Sequence, residues 1–236
     1  MVIVVVLPSI QNMKKLFLYI VLSVFTINAF AQKDADAKLI LNKLSKQYKS
    51  YDAVKTDFTL TIDNAQAGVN ETQTGALISR SKANKYKVTL YAAGKTKSSV
   101  MQEIISDGKN QWTFLKDANE VQIADADNSD EGFNPAKIFT MYESGYKYIY
   151  TGQQKISGKI YQVIDLTPTD EKKSFFKVRL MIDKVKNQLY SALIFDKNGS
   201  KYNYALRTFT PNIKVTDATF AFDKKAYPGV EVVDLR

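Results

Sequence analysis

Residues 54–62 read VKTDFTLTI, and the alternation in this stretch decides the fold. Val54, Thr56, Phe58, Leu60 and Ile62 take every second position, with Lys55, Asp57, Thr59 and Thr61 between them. Successive side chains of an extended chain point to opposite faces, so the pattern predicts a strand with one buried face and one wetted face. The period is different just upstream. Ala37, Ile40, Leu41, Leu44, Tyr48 and Tyr51 fall at helical spacing, opposite Lys38, Asn42, Lys43, Lys46 and Lys49, and Asp34 suits an N-cap. A helix of this kind must lay its stripe on something apolar.

Downstream, a loop over 63–70 leads to expected strands near 72–79, 85–91 and 99–106, with Tyr86, Val88 and Leu90 on one face of the second. Asp107-Gly108 is a hairpin signal, because the tight turn needs positive φ angles. The strand after it carries Trp112 and Phe114, and residues 120–124 extend the pattern. Asp125, Asp127 and Ser129 alternate in an acidic loop over 125–132, but the glycine and distal glutamate of a calcium loop are not at the required spacing. No metal site is expected there. A second helical piece is expected from Asn134-Pro135 onward, with Ile138, Phe139, Met141 and Tyr142 as its apolar side. Further strands are expected near 146–153, 159–167, 175–182, 188–195 and 202–210, with Asn198-Gly199 turning between the last two. A terminal segment holds Phe220, Phe222, Val230, Val232 and Val233, with Pro228-Gly229 as a turn.

Roughly ten strands and two helices without a βαβ rhythm predict a mainly β (α+β) fold built on one antiparallel sheet. So many strands curl. The expected architecture is a single large curved sheet, a half-barrel whose concave side is closed by a helical lid around an apolar space.

The N-terminal residues carry a different message. Lys14-Lys15 follow Met13, an apolar run spans 16–27, and Ala29-Phe30-Ala31 precedes Gln32. This is the order of a secretory signal peptide, and the run is shorter than the roughly 20 residues a membrane-crossing helix needs. Residues 1–12 read as an over-extended start. The expected division is therefore 1–31 removed and 32–236 retained as a single domain, outside the cytoplasm. The net charge of +9 falls to +7 when Lys14 and Lys15 are lost. The lysines are spread out, as solubility requires, and secretion argues against a nucleic-acid partner.

The 236-residue sequence has no cysteine and no histidine. That excludes disulfides, acylation of the chain at a lipobox cysteine, His- or Cys-dependent catalysis and zinc sites with those ligands. An enzyme would have to rely on groups such as Glu103, Asp107, Asp165 and Asp183, and these show no converging pair in the sequence. No enzymatic activity and no cofactor are expected.

The ordered set VKTDFTL, GALI, NKYKV and IISDGKNQWTF after the first helix resembles the LolA family of periplasmic lipoprotein carriers. Ser106-Asp107-Gly108 followed by Trp112 is similar to the family's S-D-G-x-x-x-W hairpin. Phe220, Phe222 and Pro228-Gly229-Val230-Glu231-Val232 are similar to its closing pattern, and the resemblance covers nearly all of 34–234. It implies an incomplete β-barrel closed by helices, whose apolar interior holds the acyl chains of lipoproteins or lipids. Such a protein would take cargo from an inner-membrane exporter to an outer-membrane acceptor and has reason to be monomeric. Where the family has a basic residue and a proline after its second strand, this chain has Arg80-Ser81-Lys82. Arg80 is the nearest match to the family's functional arginine, and Tyr86 matches the aromatic that follows it.

On this reading Phe58, Leu60, Tyr86, Val88, Trp112, Phe114, Ile138 and Phe139 line the cavity, and Ile40, Leu41, Leu44 and Tyr48 belong to the lid helix. A different class stays open: a cell-envelope assembly module that binds a protein partner through a sheet edge, or a free lipid.

Overall fold

In the computed structural model, residues 35–92, 99–126 and 137–236 are described. Asp34, Asp127, Ser129, Asn134, Pro135 and the whole of 1–31 lie outside them. The alternating stretch forms β1 (Val54–Asn64), and it turns directly into β2 (Val69–Arg80). The loop expected over 63–70 is thus a tight hairpin. Asn64 Oδ1 accepts the backbone N–H groups of Gln66 and Ala67, and Gly68 takes φ +66° to close it.

Four further strands continue one half of the sheet: β3 (Lys85–Tyr91), β4 (Val100–Ser106), β5 (Asn110–Leu115) and β6 (Glu120–Asp125). The other half comprises β7 (Tyr146–Ile156), β8 (Lys159–Pro168), β9 (Phe175–Asp183), β10 (Gln188–Asp196) and β11 (Lys201–Leu206). A short β12 (Thr210–Pro211) pairs with the start of β1, and β13 (Glu231–Asp234) ends the chain. The sheet order is β13-β6-β5-β4-β3-β2-β1-β11-β10-β9-β8-β7. Among the described residues all thirteen strands lie in one sheet, antiparallel except that β13 runs parallel to β6. Its two edges, β7 and β13, do not pair, so the barrel is incomplete.

The Asp107-Gly108 hairpin forms as its sequence dictates. Asp107 Oδ1 accepts the N–H groups of Lys109 and Asn110, and Ser106 Oγ accepts that of Gly108. A Cβ on Gly108 would stand 2.6 Å from the Ala83 carbonyl oxygen, so only glycine fits this turn. Asn198-Gly199 turns β10 into β11, again with positive φ at the glycine. Bulges in the β7–β8 and β9–β10 pairings increase the local twist and help the sheet to curl.

One α-helix is present among the described residues: α1, over 35–50. The expected second helix is not an α-helix in its described part. Residues 138–140 make a turn, and Met141–Glu143 a single 3₁₀ turn. Three or four residues cannot propagate a helix alone, so tertiary contacts hold this piece.

Candidate functional site

Residues directly opposite in an antiparallel pair share a face, so the register sorts every strand residue onto one side of the sheet. Phe58 pairs with Gly75 and Leu206, Leu60 with Tyr204, Leu77 with Val88, and Ser79 with Tyr86. In the other half, Ile164 pairs with Leu180 and Leu180 with Ala192. Together these positions make the concave face, and their side chains form one continuous apolar cluster with the stripe of α1. Gly75 has a steric reason here. A Cβ at that position would lie 2.4 Å from the Phe58 ring.

α1 roofs this face. Ala37, Ile40, Leu41, Leu44 and Tyr48 are all buried against it. The gap bounded by Leu44, Tyr48, Phe139 and Phe209 measures about 10 Å³, room for one water molecule at most. At this end of the helix its own side chains occupy the concave face. Few polar ties hold the roof. The Tyr48 hydroxyl donates to Ser79 Oγ at 3.0 Å, and burial pushes its pKa up to about 12. Asn187 donates to Gln47 Oε1 at 3.1 Å. Glu143, from the 3₁₀ turn, accepts from Ser45 Oγ and from Lys49 Nζ, the latter at 2.6 Å. Burial alone would raise the Glu143 carboxyl, but these hydrogen bonds and the Lys49 charge outweigh it and hold it below its ordinary value. Phe139 stacks on Tyr48 with centroids 4.3 Å apart, and Ile138 is buried in the same cluster. The buried Tyr142 hydroxyl has no hydrogen-bond partner among the described residues, and burial drives its pKa upward.

The structure thus brings together Phe58, Leu60, Tyr86, Val88, Ile138 and Phe139 with the helix residues Ile40, Leu41, Leu44 and Tyr48. Trp112 and Phe114 do not join them. Trp112 pairs with Ile105, Phe114 with Glu103, and both point to the convex face. There the chain after β12 covers them: Trp112 stacks on Phe222 at 6.4 Å, and Phe114 meets Tyr227 at a tilt, 4.7 Å between centroids. Phe220, Ile105, Val121 and Val230 complete this second layer. The physical reason is parity. Between Tyr86 and Trp112 the register passes through Ser106 and Gln111, which puts even-numbered residues of β3 and odd-numbered residues of β5 on the concave side.

The concave face also changes character toward β6. Tyr86 donates its hydroxyl to Gln111 Oε1 at 2.6 Å, and Thr113 and Gln122 are paired beside it. Sequence reasoning missed this amide lane. Its signal was available in Gln111 and Thr113, the alternate positions of the Trp112 strand.

Arg80 too lies on the convex side. Its guanidinium donates to the Val215 carbonyl at 3.1 Å and pairs with Asp217 at 3.2 Å and Asp52 at 3.4 Å, above the Phe220 ring. It ties the C-terminal segment to Asp52, just after the end of α1. The four candidate acids are tied up separately. Glu103 meets Lys87, Thr89 and Tyr227; Asp165 is gripped at both oxygens by Arg179; Asp107 and Asp183 cap turns.

A family model described as outer membrane lipoprotein carrier protein LolA matches residues 49–223. A protein named outer-membrane lipoprotein carrier protein, from Legionella pneumophila (strain Corby), is 22% identical over 94% of this chain and 99% of its own length. The crystal structure of an uncharacterized conserved protein from Thermus thermophilus superposes with a TM-score of 0.52 at 13% identity, covering 84% of this chain and 98% of that one. A LolA superfamily protein from Nitrosomonas europaea gives 0.43 at 14% identity, over 79% and 97% of the two chains. With the family model matching most of the chain, from the end of α1 into the convex-face segment, this protein belongs to the LolA family.

Proposed function

We propose that the protein carries acylated lipoproteins between the inner and outer membranes, as a mature chain starting at Gln32 in the periplasm, with the acyl chains held on the concave face. The observation that carries this reading is the exchangeable roof: a continuous apolar sheet face covered by one helix with few polar ties. Burial of Ile40, Leu41 and Leu44 contributes about 6 kcal/mol, at about 2 kcal/mol per aliphatic side chain. An acyl chain gains about 0.8 kcal/mol per buried methylene, so roughly eight methylenes match what the helix gives up. The helix and the acyl chain are therefore comparable occupants of one surface, and loading and release are both accessible. A carrier needs that balance, because a cargo bound far more strongly than the lid would not leave.

The test is native mass spectrometry of the protein from Gln32 to Arg236, expressed in a periplasm beside an acylated lipoprotein and beside the same lipoprotein lacking its acylated cysteine. A stoichiometric complex with the acylated form alone is expected. Equal binding to both forms, or to neither, would overturn acyl carriage and favour a protein-binding module.

A further inference from the structure

We propose that the open side of the barrel, where α1 passes the free edge strand β7, docks the protein on an anionic lipid surface. Two grooves separate α1 from β7, of about 530 and 650 Å³. Lys38 and Lys43 from α1, Lys147 from β7 and Lys184 from the β9–β10 turn line them. All four are exposed, and none forms an ion pair among the described residues. Four lysines elsewhere are ion-paired, Lys49 with Glu143, Lys85 with Asp217, Lys87 with Glu103 and Lys201 with Asp63, while other surface lysines such as Lys55 and Lys116 share the unpaired state. The groove lysines are distinguished by standing together beside exposed apolar side chains. The grooves hold two acids, Asp36 and Asp165, and Arg179 already neutralises Asp165.

Two large apolar side chains stand beside these cations in open solvent. Leu39 is 56% exposed on the outer surface of α1, and Val185 is 90% exposed at the tip of a turn. The turn is fixed: Asp183 Oδ1 accepts the N–H groups of both Val185 and Lys186. Tyr148 and Tyr150 line the wall of β7 behind them. Exposed aliphatic anchors, tyrosines and unpaired lysines on one side are the chemistry of a surface that sits in the headgroup layer of a charged membrane. A free phosphate is a poorer fit. The lysines come from three elements and spread along two grooves, and a single small anion has no use for Leu39 or Val185. This contact would set the lid helix against lipid, and it stands or falls independently of acyl carriage.

The experiment is co-sedimentation of the full mature chain with vesicles of phosphatidylglycerol mixed into phosphatidylcholine, and with phosphatidylcholine alone. Binding is expected only to the mixed vesicles, weakening as salt is raised and indifferent to added inorganic phosphate. Lys38→Gln and Lys184→Gln are each expected to weaken it about fivefold, the ratio that corresponds to one lysine at an anionic surface. Leu39→Ser with Val185→Ser is expected to weaken it with no change in the thermal melt, since both side chains are exposed. Equal binding to both vesicles, no binding to either, lysine variants that bind like the parent, or competition by inorganic phosphate would each overturn the proposal. Acylated-lipoprotein binding, measured on the same variants, separates this outcome from failure of the carrier reading.

Discussion

The two faces of the sheet are both covered by aromatic and aliphatic side chains, yet they are held in different ways. On the concave face a helix supplies the cover, and its polar ties are Tyr48 to Ser79, Gln47 to Asn187 and the Glu143 cluster. On the convex face the C-terminal segment supplies it. That segment is bound by the Arg80 and Lys85 ion pairs to Asp217, the Tyr227–Glu103 hydrogen bond and a parallel strand pairing along β6. Backbone pairing and charge fix the convex cover in one register, whereas side-chain burial dominates the concave one. Apolar contact is non-directional, so a cover held mainly by burial is less tightly specified than one fixed by backbone hydrogen bonds in a set register. The difference teaches which cover is fixed by backbone pairing and charge, and which rests mainly on buried side chains, as the proposed carrier role requires.

The largest expected effect tests the fixed side. Phe220 is completely buried in the convex layer, and Phe220→Ala should cost about 3–5 kcal/mol in urea unfolding. The protein that remains folded should bind acylated cargo as before. Arg80→Ala should cost about 1.5 kcal/mol through the loss of the part-buried bond to the Val215 carbonyl, the exposed pair with Asp217 adding little, again without altering cargo uptake. Should uptake fall while the urea midpoint stays in place, Arg80 acts in the carrier cycle, as the family resemblance implies, and the two faces are coupled.

Smaller effects test the exchangeable side. Tyr48→Phe removes one buried hydrogen bond to the sheet, worth about 1 kcal/mol. Amide exchange over 35–50 should quicken, and a fluorescent fatty-acyl probe should load faster, with the global melt nearly unchanged. If the melt falls as far as exchange quickens, the lid is part of the core. The smallest effect is in pH. Glu143 is held below its ordinary value, so its contribution is fully present above a pH of about 4.3 and is lost as pH falls through the lowered folded value. Its side chain is partly exposed, which limits the contribution to a few tenths of a kcal/mol. Exchange of α1 should therefore rise slightly on acidification, and Glu143→Gln should remove that dependence.

Much of the fold was legible in the residues. The helical stripe from Ala37 to Tyr48, the alternation in β1 and the Asp107-Gly108 and Asn198-Gly199 turns all form where local chemistry puts them. The burial of Ile40, Leu41, Leu44 and Tyr48 was readable for the same reason: a periodic apolar stripe on a helix seeks an apolar surface. The Trp112 and Phe114 side chains were not. Their alternation is the same as that of Phe58 and Leu60, and alternation says that a strand has two faces without saying which one is concave. The parity of β5 follows from pairing across three strands, and its cover comes from Phe222 and Tyr227, more than a hundred residues away in sequence. The Met141–Glu143 turn reads as part of a helix because its apolar residues are spaced like one, although so short a piece is set by the Glu143 and Phe139 contacts made there.

The sequence by itself determined the main periods: the first helix, the alternation of the strands, the Asp107-Gly108 and Asn198-Gly199 turns, and that neither cysteine nor histidine chemistry is available to it. Those properties depend on neighbours along the chain. Only the tertiary structure decided which face is roofed by what, that Arg80 anchors the C-terminal segment, and that four lysines and two aliphatic side chains gather along the open edge beside α1. Each of these depends on residues brought together by strand pairing across long stretches of chain, and no local pattern carries that information.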